Sequence, residues 1–283
     1  MRRCWLFLCS MLIVFNMLTI AEAFAQDGLQ VGTEIYFFNY KEPNFMEDSG
    51  VFYGVNTSYM RHFNGFDLFN PEPVAESPEA RSMVRLDGRI AFGQVDYTSE
   101  GTGELDNIND FAFETRMVTG YDFTVSEKSF FTPYLGLGYR YLKDDTSGKT
   151  TTLGAAGYER QSNYFYLPIG ADLYGHFSGQ WDADLNAEFD VFLIGRQKSH
   201  LGDAISGLNT ISNDQNNGYG VRGSICFTRD NGSTDLFIEP FIRYWHIDDS
   251  EISGVTFNNV LVGYGLEPEN KTLEAGVKIG LKF

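Results

Sequence analysis

The last thirteen residues, Lys271–Phe283 (KTLEAGVKIGLKF), alternate without interruption. Leu273, Ala275, Val277, Ile279, Leu281 and Phe283 fall on one side of an extended chain, and Thr272, Glu274, Gly276, Lys278, Gly280 and Lys282 on the other. Side chains of a strand change face with every residue, so this stretch offers one wholly apolar face and one charged face. A single such strand has no stable home. What constrains the fold is that the pattern recurs along the whole chain, in segments of about ten residues, the length that crosses a bilayer as a tilted strand.

Nine more segments precede it: Leu29–Tyr40, Val51–His62, Met83–Tyr97, Phe111–Val125, Phe131–Leu142, Asn163–Gly175, Trp181–Ile194, Tyr219–Thr228 and Asp235–Ile247. Their apolar sides include Ile35 and Phe37, Leu135 and Leu137, Leu167 and Ile169, and Leu185 and Phe189. Their other sides carry charge, most heavily Asp182, Asp184, Glu188 and Asp190. Polar loops are expected at 41–50, 99–110, 143–160, 195–218 and 248–270, and short turns at 126–129, 176–180 and 229–234. The connection 63–81 is the odd one, because Pro71, Pro73 and Pro78 prevent regular ladder pairing there. These elements predict an all-β fold: a single antiparallel up-and-down transmembrane β-barrel of ten strands. Twelve is the alternative, since VTFNNVLVGYG in the last loop could add a hairpin. That hairpin is expected to project beyond the membrane. An even strand number leaves both termini on one side, expected to be periplasmic, with the short turns beside them and the long loops outside.

The amino terminus reads as a cleaved leader, residues 1–25, followed by one domain, 26–283. Arg2 and Arg3 precede an apolar run from Cys4 to Ile20, and Ala23-Phe24-Ala25 is a small-x-small cleavage pattern. No later stretch holds the ~18 uninterrupted apolar residues of a helical span. Cleavage leaves Cys226 as the one cysteine, so no intramolecular disulfide is available, and Cys226 is expected to be an inert strand residue. The formal net charge is -17, and losing Arg2, Arg3 and Glu22 makes the remainder one charge more negative. That excludes a nucleic-acid partner, which demands clustered Lys and Arg.

TPYLGLGYRYL, FYLPIGADL and the terminal KIGLKF resemble the small bacterial outer-membrane β-barrel proteins, the porin-like and OmpA-type barrels. The resemblance implies an integral outer-membrane location and contact with outer-membrane lipid and lipopolysaccharide. It also implies transient engagement by the barrel assembly machinery, with Phe283 resembling the terminal aromatic that machinery reads, and a monomeric state. It implies no cofactor or metal.

Strand parity places Glu34, Glu114, Arg116, Arg140, Glu188, Arg222, Glu239, Arg243, Glu274 and Lys278 inside, together with Arg85, Arg89 and Asp172. A small barrel's interior is about the size of its own side chains, and buried charges persist only when paired, so a cross-lumen charge network is expected. The last strand neighbours both the first and the ninth, which puts Glu274 within reach of Arg243 and of the Glu34 side. A selective pore would need an unpaired strip of one sign, for which only the acidic seventh strand is a candidate.

Four histidines bound any catalytic reading: His62, His176, His200 and His246. His176-Phe177-Ser178 resembles the His-x-Ser of outer-membrane lipid A deacylases but falls in a turn expected on the periplasmic side. His246 with Asp248 and Asp249 lies at the outer rim, and rim Asp and His residues serve the ten-stranded omptin proteases. A paired acidic motif on a facing strand is not recognisable, and no HExxH, GxSxG, P-loop or paired CxxC occurs. The acidic groups Glu47-Asp48, Asp144-Asp145 and Asp248-Asp249-Glu251 could bind Ca²⁺ through oxygen ligands, or be bridged by divalent ions to lipopolysaccharide, but they lack EF-hand spacing and are expected to be ordinary solvated loop acids. The expectation is therefore a non-enzymatic outer-membrane barrel with a structural, surface-interaction or narrow-channel role. The alternative is a rim hydrolase of the omptin-like or lipid-modifying kind.

Overall fold

The computed structural model describes residues 27–64 and 80–283. The predicted leader and most of the Pro-containing 63–81 connection lie outside the described residues. The described residues form thirteen strands: β1 (Gly28–Glu42), β2 (Met46–Asn64), β3 (Ala80–Ser99), β4 (Gly103–Ser126), β5 (Ser129–Asp145), β6 (Glu159–Ser178), β7 (Trp181–His200), β8 (Thr210–Gln215), β9 (Gly218–Arg229), β10 (Asp235–Ile247), β11 (Ser253–Phe257), β12 (Val260–Gly265) and β13 (Asn270–Lys282). Ten of them close into an antiparallel ring, β1 to β7 in order, then β9, β10 and β13, which returns to β1. The closing seam runs from Gln30 opposite Lys282 to Lys41 opposite Lys271. Closure leaves the ring without a free edge, which a sheet in lipid cannot tolerate.

The expected alternation holds around the wall. Val31, Ile35, Phe37, Leu135, Leu137, Leu185 and Phe189 are exposed on the outside. Glu34, Tyr36, Phe38, Arg140 and Glu188, their neighbours of opposite parity, are buried inside.

The start of β1, the end of β13 and the turns at 127–128, 179–180 and 230–234 share one end, the terminal mouth. The longer connections share the other, the loop mouth. Two of the expected loops there are mostly strand. Residues 41–50 reduce to a tight turn at 43–45, with Asn44 at φ 67° and Phe45 N–H donating to the Glu42 carbonyl at 3.0 Å. Residues 99–110 reduce to a turn at 100–102. Polar residues do not end a strand once it has passed the apolar belt, because the ladder continues on backbone bonds alone. β7 likewise outruns β9, and its last residues, Gly195–His200, pair with β8 instead. The segment read as an optional extra hairpin is β11–β12, a separate two-stranded sheet outside the ring. Asn258 and Asn259, at φ 49° and 66°, supply the left-handed pair that a two-residue hairpin turn needs.

Candidate functional site in the barrel lumen

The inward side of β1 reads Gln30, Gly32, Glu34, Tyr36, Phe38, Tyr40, Glu42. That order from terminal mouth to loop mouth is also the order of four layers inside the barrel. First comes a polar vestibule, a cavity of about 140 Å³ lined by Asn56, Ser58, Asn186, Ser224, Cys226 and Glu239 among others. Cys226 is half-buried there, with its Sγ 3.8 Å from the Thr228 hydroxyl.

The second layer is a charge network. Cross-strand register sets its local pairs: Arg89 lies opposite Glu114, Glu114 opposite Arg140, Glu188 opposite Arg222, and Arg243 opposite Glu274. Side chains then reach across the lumen. Glu274, with no exposed surface, accepts from Arg89 at 3.0 Å, Arg140 at 3.0 Å and Arg243 at 2.9 Å. Glu34 accepts from Arg89 at 3.3 Å and Arg243 at 3.2 Å. Arg222 joins Glu114 at 2.7 Å, Glu188 at 2.9 Å and Asp190 at 2.7 Å. Arg116 bridges Asp87 at 3.0 Å and Glu188. Glu239 and Lys278, directly opposite in register, pair at 2.8 Å on the vestibule side. All ten network residues read from parity therefore carry an ionic partner.

Arg85 and Arg89, read as inward, are as deeply engaged as any of the ten; Arg85 holds Asp172 at 2.7 Å. Asp190, on the acidic side of β7, pairs with Arg222, and the guanidiniums also rest on aromatic rings that the charge pattern alone does not point to. Arg222 lies over the Tyr166 and Trp245 rings, Arg140 over Trp245, and Arg89 over Tyr36. The signal was there, since Tyr36, Tyr166 and Trp245 have the same inward parity as the charges.

The third layer is aromatic. Phe52 packs between Tyr36 and Phe38, at centroid distances of 5.3 Å and 4.6 Å. Across from it Tyr166, Phe192, Tyr164, Trp245 and Ile247 form a second buried cluster. Glycines make room for these rings: a Cβ on Gly138 would stand 2.1 Å from the Tyr166 ring.

The fourth layer lies on the loop side of the Phe92, Phe111 and Tyr141 ring row that ends the apolar outer belt. Arg160 is its one guanidinium, reaching Glu42 at 2.7 Å, Asp144 at 2.9 Å, Asp48 at 3.3 Å and Glu267 at 4.0 Å. Asp110 sits opposite Asp144 on the neighbouring strand. Asp48 and Asp110 are 2% and 8% exposed, so neither is a solvated loop acid, contrary to the expectation for Glu47-Asp48. Burial and the neighbouring Asp144 hold both carboxyls well above the usual range, against the pull of Arg160. Burial and Glu42 push Glu267 up to about 8, again against Arg160. The sequence signal was the same parity, continued two to four residues past the apolar belt.

The histidines take separate positions. His62 is buried at the terminal mouth between Asp27 and Asp122, the latter at 3.2 Å. His176 lies 2.8 Å from Asp182 at that same mouth, a hydrogen-bonded staple of β6 to β7. His200 lies 3.9 Å from Glu159. His246, at the loop mouth, is 3.1 Å from Asp248 and 3.6 Å from Glu269, with its ring on Tyr219 at 5.3 Å. Phe283 continues the seam, its N–H donating to the Leu29 carbonyl at 2.9 Å, with an exposed ring.

No protein-family model matches the sequence, and no curated protein sequence does. Solved structures do match in fold. The outer membrane protease OmpT from Escherichia coli superposes with a TM-score of 0.54 at 7% identity, over 93% of this chain and 99% of that one. The translocator domain of the autotransporter NalP from Neisseria meningitidis gives 0.38 at 10% identity, over 98% and 95%. Ail, the attachment invasion locus protein of Yersinia pestis, gives 0.28 at 9%, over 91% and 100%. The fold is that of the outer-membrane β-barrel proteins.

Proposed function

We propose that this chain is an integral outer-membrane protein whose barrel is occluded, with a structural and surface-presenting role and no open channel. The observation that carries the reading is Glu274: a carboxylate with no exposed surface, clasped by guanidiniums from three other strands, beneath two buried aromatic clusters. Charges of both signs are matched there, so no unpaired strip offers an ion a path. On the acidic side of β7, Glu188 meets Arg116 and Arg222, Asp190 meets Arg222 and Asp182 meets His176, while Asp184 lines the vestibule. The termini are periplasmic in this reading, the loop mouth faces outward, the contacts are lipid and lipopolysaccharide, and Phe283 is read by the assembly machinery.

Planar-bilayer recording of the purified, refolded barrel tests it. No stable unitary conductance is expected from the native chain. A large, stable conductance whose ion preference follows Arg243→Ala, with thermal unfolding unchanged, would make the protein a channel.

A second reading, rim hydrolysis, is favoured by the His246–Asp248 pair, since a histidine oriented by a carboxylate is the basic unit of water activation. Peptide and lipid turnover abolished by His246→Ala would establish it. Equal turnover in both proteins, or none in either, returns His246 to the role of a loop-mouth ion pair.

A further inference from the structure

The fourth layer differs from the second in one respect: its charges do not balance. Five carboxylates, Glu42, Asp48, Asp110, Asp144 and Glu267, surround one guanidinium, Arg160. The other cation nearby, Lys143, is engaged by Asp145 at 3.3 Å and by Glu159. Tyr40 donates to Glu42 or Glu267, both at 3.1 Å. Asp48 and Asp110 are more than nine-tenths buried, yet the Oδ1 atom of each has no hydrogen-bond partner, and neither has Oδ1 of Asp144. A buried carboxyl oxygen without a donor costs free energy unless a proton or a cation sits against it, and Asp110 and Asp144, opposite each other, share a proton where no cation is bound.

These oxygens belong to residues that line one small cavity of about 30 Å³, with Ser162 and Gln197 on the same wall. A space above about 10–15 Å³ holds a water or an ion of that size. The wall donors are all oxygens, apart from the Gln197 amide nitrogen and the Arg160 and Lys143 cations. A carboxylate and neutral-oxygen set suits hard cations and excludes soft ones.

We propose that this cavity binds one partly hydrated divalent cation of the calcium and magnesium class, held by Asp48 and Asp110 with Asp144 as a further carboxylate. No three such side chains among the described residues stand in ready coordinating geometry. Arg160 is the reason: it occupies the space between Asp48 and Asp144. On binding, Arg160 moves its contacts toward Glu42 and Glu267, and water completes the cation's shell. The ion then links β2, β4 and β5 across the loop mouth. Asp248, Asp249 and Glu251, the exposed loop acids, are not part of the site.

The test uses the full mature chain, refolded in detergent free of lipopolysaccharide, stripped with chelator and titrated with CaCl₂ at constant ionic strength. Calorimetry should show one saturable event per chain, at or below the ~10⁻³ M of weak extracellular calcium modules. The thermal midpoint should rise with it. Asp48→Asn with Asp110→Asn should weaken binding at least tenfold and remove the rise, while Asp230→Asn, at the terminal mouth, should change neither. Tb³⁺ emission sensitised by the Tyr40 ring, and displaced by Ca²⁺, reports on the native chain even if the double variant does not fold. Absence of saturable binding in this range together with absence of displaceable Tb³⁺ emission would overturn the site. So would binding that the folded double variant retains in full.

Discussion

Glu274 depends on guanidiniums that reach it from β3, β5 and β10, and each of those depends on it in turn. Removing one partner of a dry, buried pair leaves a charge uncompensated, at a cost of about 3–5 kcal/mol, lowered by any vestibule water. Arg243→Ala should therefore lower the thermal midpoint clearly. Arg196→Ala, whose side chain is 54% exposed beside Asp214, should leave it unchanged. Differential unfolding of the two refolded variants checks this. Gly138→Ala should act through volume rather than charge. Its Cβ would displace the Tyr166 ring, which donates to Glu114, so overpacking of about 1–3 kcal/mol is expected, read in the same assay. At the loop mouth the sign of the pH effect follows from Glu267. Its carboxyl is raised to about 8 in the fold, so the stability linked to it is full below its ordinary value of 4.5. That stability is lost as pH climbs through 8. In chelator, the native chain should unfold more readily at pH 9 than at pH 6, and Glu267→Gln should flatten that dependence.

The strands form two groups by what they do: ten make the wall, and β8, β11 and β12 stand on it. The β11–β12 hairpin touches the wall's extension through Asn209, whose N–H donates to the Thr256 carbonyl at 3.1 Å, and through the Ser253 hydroxyl on the Ser212 carbonyl. Replacing 253–265 by a short Gly-Ser link should leave a heat-modifiable barrel with its lumen intact, checked by gel mobility before and after boiling. This division also marks how far the sequence could be read. Alternation gives the face of every inward residue, because a one-residue slip would turn a charged side to lipid. It also gave the adjacency of β13 to β10 and β1, and hence Arg243 beside Glu274. It could not give depth. A two-residue shift of any ladder keeps every face and changes every level, so the arrival of Arg89 and Arg140 at Glu274 depended on registers no local pattern encodes. The burial of Asp48, and the place of Asp110 beside it, escape the pattern for a different reason. Strand ends were placed where apolar residues stop, whereas the ladder at Asp48, Asp110 and Asp144 runs on in water.

For the molecule as a whole, orientation and closure are the testable properties. Single cysteines at Ser126 and Lys149 lie at opposite mouths. Labelling of intact cells at position 149 and not at 126 is expected, and the reverse would invert the topology. The seam makes a second demand. Leu29 and Phe283 exchange backbone hydrogen bonds at 3.2 Å and 2.9 Å, so the first and last described residues of the wall are neighbours in the same ladder. The described wall is thus a closed ladder whose opening point could be moved without breaking a strand pair. A short peptide could join position 283 to position 27, and new ends could be cut at 127 and 128, in the β4–β5 turn of the same mouth. Such a permuted chain should refold in detergent with the parent's midpoint, since every ladder survives. In cells it would end at Glu127, with β4 as its last strand. Whether it still reaches the membrane would separate what Phe283 contributes as a wall residue from what it contributes by being last.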